Sequence, residues 1–478
     1  MPDSPPSSAF SSAPKLAASW ARASLGLKIA AIGVVILILL VPLAMLGGLI
    51  RERERLRDAA RVEVGAQWGQ PQTLGGPVLS IPYTARTTGP DGSARAETRY
   101  VHLFPDTLDV RGTLAPEVRT RGIFRVVLYS ADLVASGRFP ALSTLGDVVG
   151  GVPRAALRTD EAFVQVGLTD LVGVRDALRL TWGGQELELD PGLRTTDVFA
   201  SGVSAPVPLG EGPATFRLPV ALNGSGHLAV LPVGRETRLA LTSSWATPRF
   251  AGAFLPAQRS TGADGFEASW RVLHLNRNFP QAFEGAFGQP TELAPRARYD
   301  TLPLQQSPSA AFGVELLVPV DSYQKASRAA KYGALFVFLT FLTFFFVEVL
   351  AGRRFHPVQY LLVGFAVAIF YLLLLAFAEH VPFGGAYAFA GVLSIGLVTL
   401  YARAVFRTWR LAALVGGLMT LFTGYFYVLL QMESYALLVG SLGLFVTLAV
   451  TMYLSRRVNW YRADVAGTPD APALGHAS

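Results

Sequence analysis

Residues Ala329–Gly364 read AAKYGALFVFLTFLTFFFVEVLAGRRFHPVQYLLVG. Tyr332–Ala351 is 20 residues long and holds one charge, Glu348. A helix rises 1.5 Å per residue, so this run crosses a hydrocarbon layer of about 30 Å. Val358–Ala378 is 21 residues without a charge. Gly352–Pro357 between them is too short to cross back, so the two runs form an antiparallel hairpin. Arg353 and Arg354 place its turn on the cytoplasmic side, because short Lys/Arg-rich loops stay inside.

Outward from this hairpin, the rest of the chain sorts into membrane spans and one large insert. Ile29–Ile50 is 22 residues without charge, preceded by Arg22 and Lys28. It is too long for a signal-peptide core and no A-x-A site follows, so it reads as an uncleaved anchor with its N-terminus inside. Pro42 would kink it. Further spans are expected at 381–402, 411–430 and 435–454. Counting the connections of the last five spans, the inner ones hold eight Arg and the outer ones two Glu, Glu379 and Glu433, with no Lys or Arg. That asymmetry gives six spans with both termini cytoplasmic. Residues 1–28 and 455–478 are then tails, the first rich in Ser, Pro and Ala and expected to be disordered.

The insert, 51–331, opens with RERERLRDAARVEVGAQW (Arg51–Trp68), whose Leu56, Ala60, Val64 and Trp68 fall four apart, one face of a stalk helix. Its five Arg also suit phospholipid headgroups. From Gln70 to Val320 short alternating runs are punctuated by Pro and Gly. Strands are expected at Arg99–Phe104, Phe124–Tyr129, Arg238–Trp245, Phe266–Leu275 and Phe312–Val320. Hairpins are expected over Leu178–Leu189, turning at Gly183-Gly184, and over Thr215–Val233, turning at Asn223-Gly224. The pattern predicts a sandwich-like β domain, in one piece or in two halves split near Pro191–Pro213. Asp321–Lys331 reads as a polar re-entry segment. The fold class is therefore α+β: a six-helix transmembrane bundle with a large β-rich periplasmic domain between helices 1 and 2.

Composition agrees. The 478 residues are 51% hydrophobic with mean hydropathy +0.38, which suits a bundle plus a soluble domain. There is no cysteine, so the outer domain relies on its core and not on disulfides. Net charge is +7, but 51–331 holds 30 Lys/Arg against 28 Asp/Glu. The other 11 basic residues lie in the segments assigned to the cytoplasm. This is membrane sorting of charge, not a nucleic-acid footprint.

Motifs for chemistry are sparse. There is no GxSxG, HExxH or Walker loop, and the six His are scattered, so no catalytic residue, cofactor or metal is implied. Glu186 and Glu188 alternate on a strand that faces water. The Phe-rich second span reads as lipid-facing and packing bulk. Glu348 is the polar group to weigh, because an ionisable residue inside a span is by default a functional hypothesis. It pairs with Arg353 or Arg354 as an anchor, or it serves as a coupling group. His356 and Gln359 flank it across the turn. Glu379 and His380 sit at the opposite surface, where interfacial solvation accounts for them.

FLTFLTFFFVEVLAGRRFHPVQYLLVG followed by FYLLLLAFAEH resembles the signature of CreD-type inner-membrane proteins. GGPVLSIPY (Gly75–Tyr83) and LTSSWATPRFAGAFLPAQR with GFEASW (Leu241–Trp270) are similar to the same family. The resemblance runs from the first span to about Tyr461. It implies a bacterial inner-membrane protein linked to cell-envelope integrity, with no established reaction, cofactor or catalytic residue. Glu348, His356, Pro357, Gln359, Tyr360, Glu379 and His380 fall on its motif positions. The expected function is non-enzymatic support of envelope integrity or envelope stress response. The partners are then the lipid bilayer and an envelope protein or cell-wall or lipid component. The alternative is a transporter or lipid-handling protein with Glu348 as the coupling group.

Overall fold

The computed structural model describes residues 25–88, 94–277, 279–287, 311–316, 322–351, 355–432 and 435–457. They fall into two compact units. One takes residues up to Arg55 together with the chain from Asp321, and the other is Leu56–Val320.

The first unit is helical. Helix α1 (Leu25–Trp68) carries the first apolar run and continues without a break into the second unit. The stalk is thus the same helix as the anchor, with Pro42 inside it. Next comes α2 (Ser322–Lys331), where a polar connection was expected. Alternating Lys, Arg and Ala hid its amphipathic face: Ala326 and Ala329 are buried, while Lys331 is exposed. Then follow α3 (Gly333–Leu350), α4 (Pro357–Ala378), α5 (Phe383–Phe406), α6 (Trp409–Gln431) and α7 (Ala436–Ser455). Six helices, all of these except α2, are long and apolar enough to cross a membrane.

Aromatic packing fills the helical core. Phe336, Phe341, Phe344 and Phe346 of α3 are buried, whereas Phe338 is 47% exposed. Phe344 meets Phe355 and Phe406 edge-on and stacked, respectively. The Phe run is therefore mostly interior. Gly364 on α4 leaves room for the Leu39 side chain of α1, which a Cβ there would strike. By contrast α7 buries no residue.

The second unit is two large sheets around one apolar core, with a small two-stranded sheet of Val148–Val149 and Val152–Pro153 beside them. In the first sheet the strands run in the order Asp190–Pro191, Gly202–Pro206, Phe163–Leu168, Gln72–Thr88, His227–Val230, Phe312–Leu316, Pro248–Gly252. Ala94–Leu103 pairs with the far half of Gln72–Thr88, and Ala282–Glu284 pairs with Ala94–Leu103. In the second the order is Gln258–Gly262, Gly265–Leu273, Glu236–Ser243, Thr107–Arg121, Phe124–Phe139, Ala214–Ser225, Arg179–Trp182, Gln185–Glu188. Inward residues alternate, as Phe216, Leu218, Val220 and Leu222 do.

Here one open alternative is decided and one expectation fails. Both sheets draw strands from either side of residues 191–213, so the domain is not two sequential halves. Thr215–Val233 is not a hairpin either. Ala214–Ser225 runs straight through Asn223-Gly224 along Phe124–Phe139. The chain then turns at Gly226, φ +71°, and His227–Val230 joins the other sheet. The Gly183-Gly184 hairpin is present, with both glycines at positive φ. Glu186 and Glu188 are exposed on it.

Candidate functional site

The polar node of the helical unit starts from local sequence. His356 precedes Pro357, and proline at the first helical position fits its fixed φ. His356 caps α4: its Nδ1 accepts from Val358 N at 3.3 Å. Gln359 Oε1 accepts in return from His356 N at 3.1 Å. This reciprocal cap fixes the start of α4 and so the position of Tyr360, one residue on.

Glu348, two residues before the end of α3, is 5% exposed. Lys28 Nζ of α1 donates to its Oε1 at 2.9 Å. Phe355 N donates to the same oxygen at 3.0 Å, and the Tyr360 hydroxyl donates to Oε2 at 2.8 Å. A buried carboxylate is tolerated only when its oxygens are satisfied, and here α1, the turn before α4 and α4 itself each supply a donor. Arg353 and Arg354, expected as its partners, lie outside the described residues. In the sequence Lys28 stood out only as the last charge before the first apolar run, not as a partner of Glu348.

Glu379 and His380 lie apart from this node. Glu379 caps the C-terminus of α4. Its side chain is 12% exposed and meets Arg53 Nε of α1 at 3.4 Å. It is therefore paired rather than solvated. The His380 side chain is exposed in the turn that follows. Helix α1 is thus tied by Lys28 near one end of its apolar run and by Arg53 near the other.

In the β unit, a buried chain of hydrogen bonds links Gln165, Ser80, His102 and Asp197. Gln165 Nε2 donates to Ser80 Oγ at 3.1 Å, and Ser80 Oγ lies 2.9 Å from His102 Nδ1. His102 Nε2 lies 3.1 Å from Asp197 Oδ2. A carboxylate only accepts, so Nε2 carries a proton, and in the neutral ring Nδ1 then accepts from the Ser80 hydroxyl. Burial pushes the Asp197 carboxyl up, but hydrogen bonds from His102 and Thr195 outweigh it and hold it below its usual 3.8. The residue types suggest nucleophilic catalysis, but Ser80 and His102 are 0% exposed and no substrate could reach them. The chain ties three strands to the 197 segment. Neither Ser80 nor Asp197 is conspicuous in the sequence. His102 carried the one signal, a titratable residue inside the apolar run VHLF.

The first sheet also bears a concavity on its outer side, of about 710 Å³. Leu74, Leu228, Val230, Phe312 and Val314 point to the core. The alternate residues Thr73, Ala229, Gly313 and Ala251 face away, in register across four neighbouring strands. All are small, which leaves a trough. The next row along the strands is His227, Glu315 and Arg249, with Arg249 Nη1 3.3 Å from Glu315 Oε2. A size of a few hundred Å³, a largely apolar lining and a few polar groups at the margin are ordinary features of a ligand pocket. Among the described residues no group of three or more His, Asp or Glu could hold a metal ion.

The family model described as inner membrane protein CreD matches residues 24–461. The chain belongs to the CreD family. It is 33% identical over 434 residues to the inner membrane protein CreD of Escherichia coli (strain K12), covering 89% of this chain and 91% of that one. With its six apolar helices the chain is a multi-pass inner-membrane protein. A crystal structure of the M1 zinc metallopeptidase from Deinococcus radiodurans aligns over 76% of this chain and 92% of its own. At 13% identity and a TM-score of 0.19 that likeness carries no argument. Glu348, His356, Gln359 and Tyr360, singled out in the sequence by resemblance, converge in the α3–α4 node.

Proposed function

We propose that this protein supports the integrity of the cell envelope or its response to stress without catalysing a reaction. Its β unit, exposed to the periplasm, captures an envelope component in the Thr73–Ala251 trough. Both termini lie in the cytoplasm, and the bundle holds the β unit at the membrane. Glu348 pins the bundle: its contacts with Lys28, Phe355 and Tyr360 are those of a fixed joint between α1, α3 and α4. The trough carries the reading, because a row of small residues in register across four strands leaves room for a ligand that larger side chains would fill. The sorting of Lys and Arg between connections supports the orientation.

The test fills the trough. In cells lacking the gene, detergent survival should be restored by the unmodified chain and by Gln185→Trp, on the exposed Gly183-Gly184 hairpin. It should not be restored by Ala251→Trp. Full restoration by Ala251→Trp would remove the trough from the function.

A further inference from the structure

We propose that one end of the helical unit is a binding collar for anionic phospholipid headgroups, in the leaflet where α1 leaves its apolar run. The collar collects Arg51, Arg53 and Arg55 of α1 and Lys325, Arg328 and Lys331 of α2. Contacts within the unit put these two segments at the same end. Arg53 reaches Glu379 at the C-terminus of α4. Lys325 Nζ donates to Gln431 Oε1 at the end of α6, at 3.0 Å, and lies 5.8 Å from the ring of Phe383 at the start of α5. Ala326 and Ala329 are buried in the same core cluster as Ile50.

Among the described residues, cations outnumber carboxylates at this end. Six cations face three carboxylates, Glu52, Glu54 and Glu379, among the described residues. Arg51, Arg55 and Lys331 are exposed and form no ion pair among the described residues. Unpaired cations at a span terminus attract counter-charge from the lipid surface.

The surface leading to them is apolar. Leu37, Val41 and Met45, four apart on α1, are 65%, 61% and 71% exposed. They form a stripe whose spacing continues through Leu49 to Arg53, between Arg51 and Arg55 in the chain. An apolar stripe under a cationic cap complements one molecule with an apolar tail and an anionic head. Helix α2 turns Ala326 and Ala329 inward and exposes Lys331, as interfacial helices do. The expected partner is therefore an anionic phospholipid rather than an acidic protein. This inference concerns the helical unit and does not depend on what the trough binds.

The full chain is reconstituted in nanodiscs of phosphatidylcholine with a minor share of phosphatidylglycerol, and the phosphatidylglycerol retained per chain is counted by native mass spectrometry. Each cation near a lipid surface contributes roughly fivefold, so Arg51→Gln, Arg55→Gln and Lys331→Gln together should lower retention on the order of tenfold or more. Arg51→Lys with Arg55→Lys should keep it, because charge is retained. Arg456→Gln with Arg457→Gln, after α7, should leave most of it. Retention by the triple variant within about twofold of the unmodified chain would overturn the collar. If the triple variant does not fold, the unmodified chain decides. Its preference for phosphatidylglycerol over phosphatidylcholine should fall with added salt, and a salt-independent preference overturns the collar equally.

Discussion

Glu348 shows how a single residue joins distant sequence. Its nearest cations along the chain, Arg353 and Arg354, offered the simplest partners. The structure gives it Lys28, 320 residues away, along with Tyr360 and a backbone N–H. Nothing local in the sequence links Lys28 to α3, because the contact exists only once α1 packs beside the hairpin. Lys28 is 35% exposed, so the pair is partly screened. A double-mutant cycle of Lys28→Met and Glu348→Gln, read by unfolding in detergent, should give a coupling of about 1 kcal/mol. Additive effects would mean the two side chains do not act together. Asp197 makes a second residue-scale prediction. Its folded pKa lies below 3.8, so its contribution is present above that pH and is lost as the pH falls through the folded value. Asp197→Asn should therefore lower the melting temperature at neutral pH and flatten the acid limb of its pH profile. An unchanged acid limb would show that the His102 bond adds no stability.

At the scale of elements, what was legible depended on how local the cause is. Long apolar runs give helices wherever they occur, and every expected span has a helix over it. The Gly183-Gly184 turn was equally local, because both positions need positive φ. Asn223-Gly224 carries an equally strong turn signal, yet twelve consecutive ladder partners along Phe124–Phe139 override it. The turn falls instead at Gly226, where the chain changes sheets. Helix α2 was missed because only Ala326 and Ala329 mark its buried face, and alanine is a weak hydrophobic signal. The start of α4 was readable but not recognised: HPVQ holds a cap, a proline at the first helical position and a Gln at the third. Losing either half of such a cap costs about 1 kcal/mol. His356→Ala and Gln359→Ala should each lower stability by about that much, and together by less than the sum, because the two bonds share one geometry. A wild-type melting temperature for both would show that Pro357 alone starts the helix.

For the molecule as a whole, the sequence pattern separated the apolar helices from the insert, because apolar length is a local property. It did not reveal how the insert folds. Interleaved sheets pair strands such as Thr107–Arg121 with Glu236–Ser243, more than 100 residues on, and no local pattern encodes such a partner. The trough has the same origin. Thr73, Ala229, Ala251 and Gly313 are unremarkable in sequence and form a row only through that register. Everything proposed for the β unit requires it to lie outside the cytoplasmic membrane while the end of α7 lies inside. The chain has no cysteine, so one introduced residue is a unique probe. In intact spheroplasts a membrane-impermeant maleimide should label Glu186→Cys and leave Arg457→Cys unlabelled until the membrane is permeabilised. Labelling of Arg457→Cys but not Glu186→Cys before permeabilisation would contradict the account.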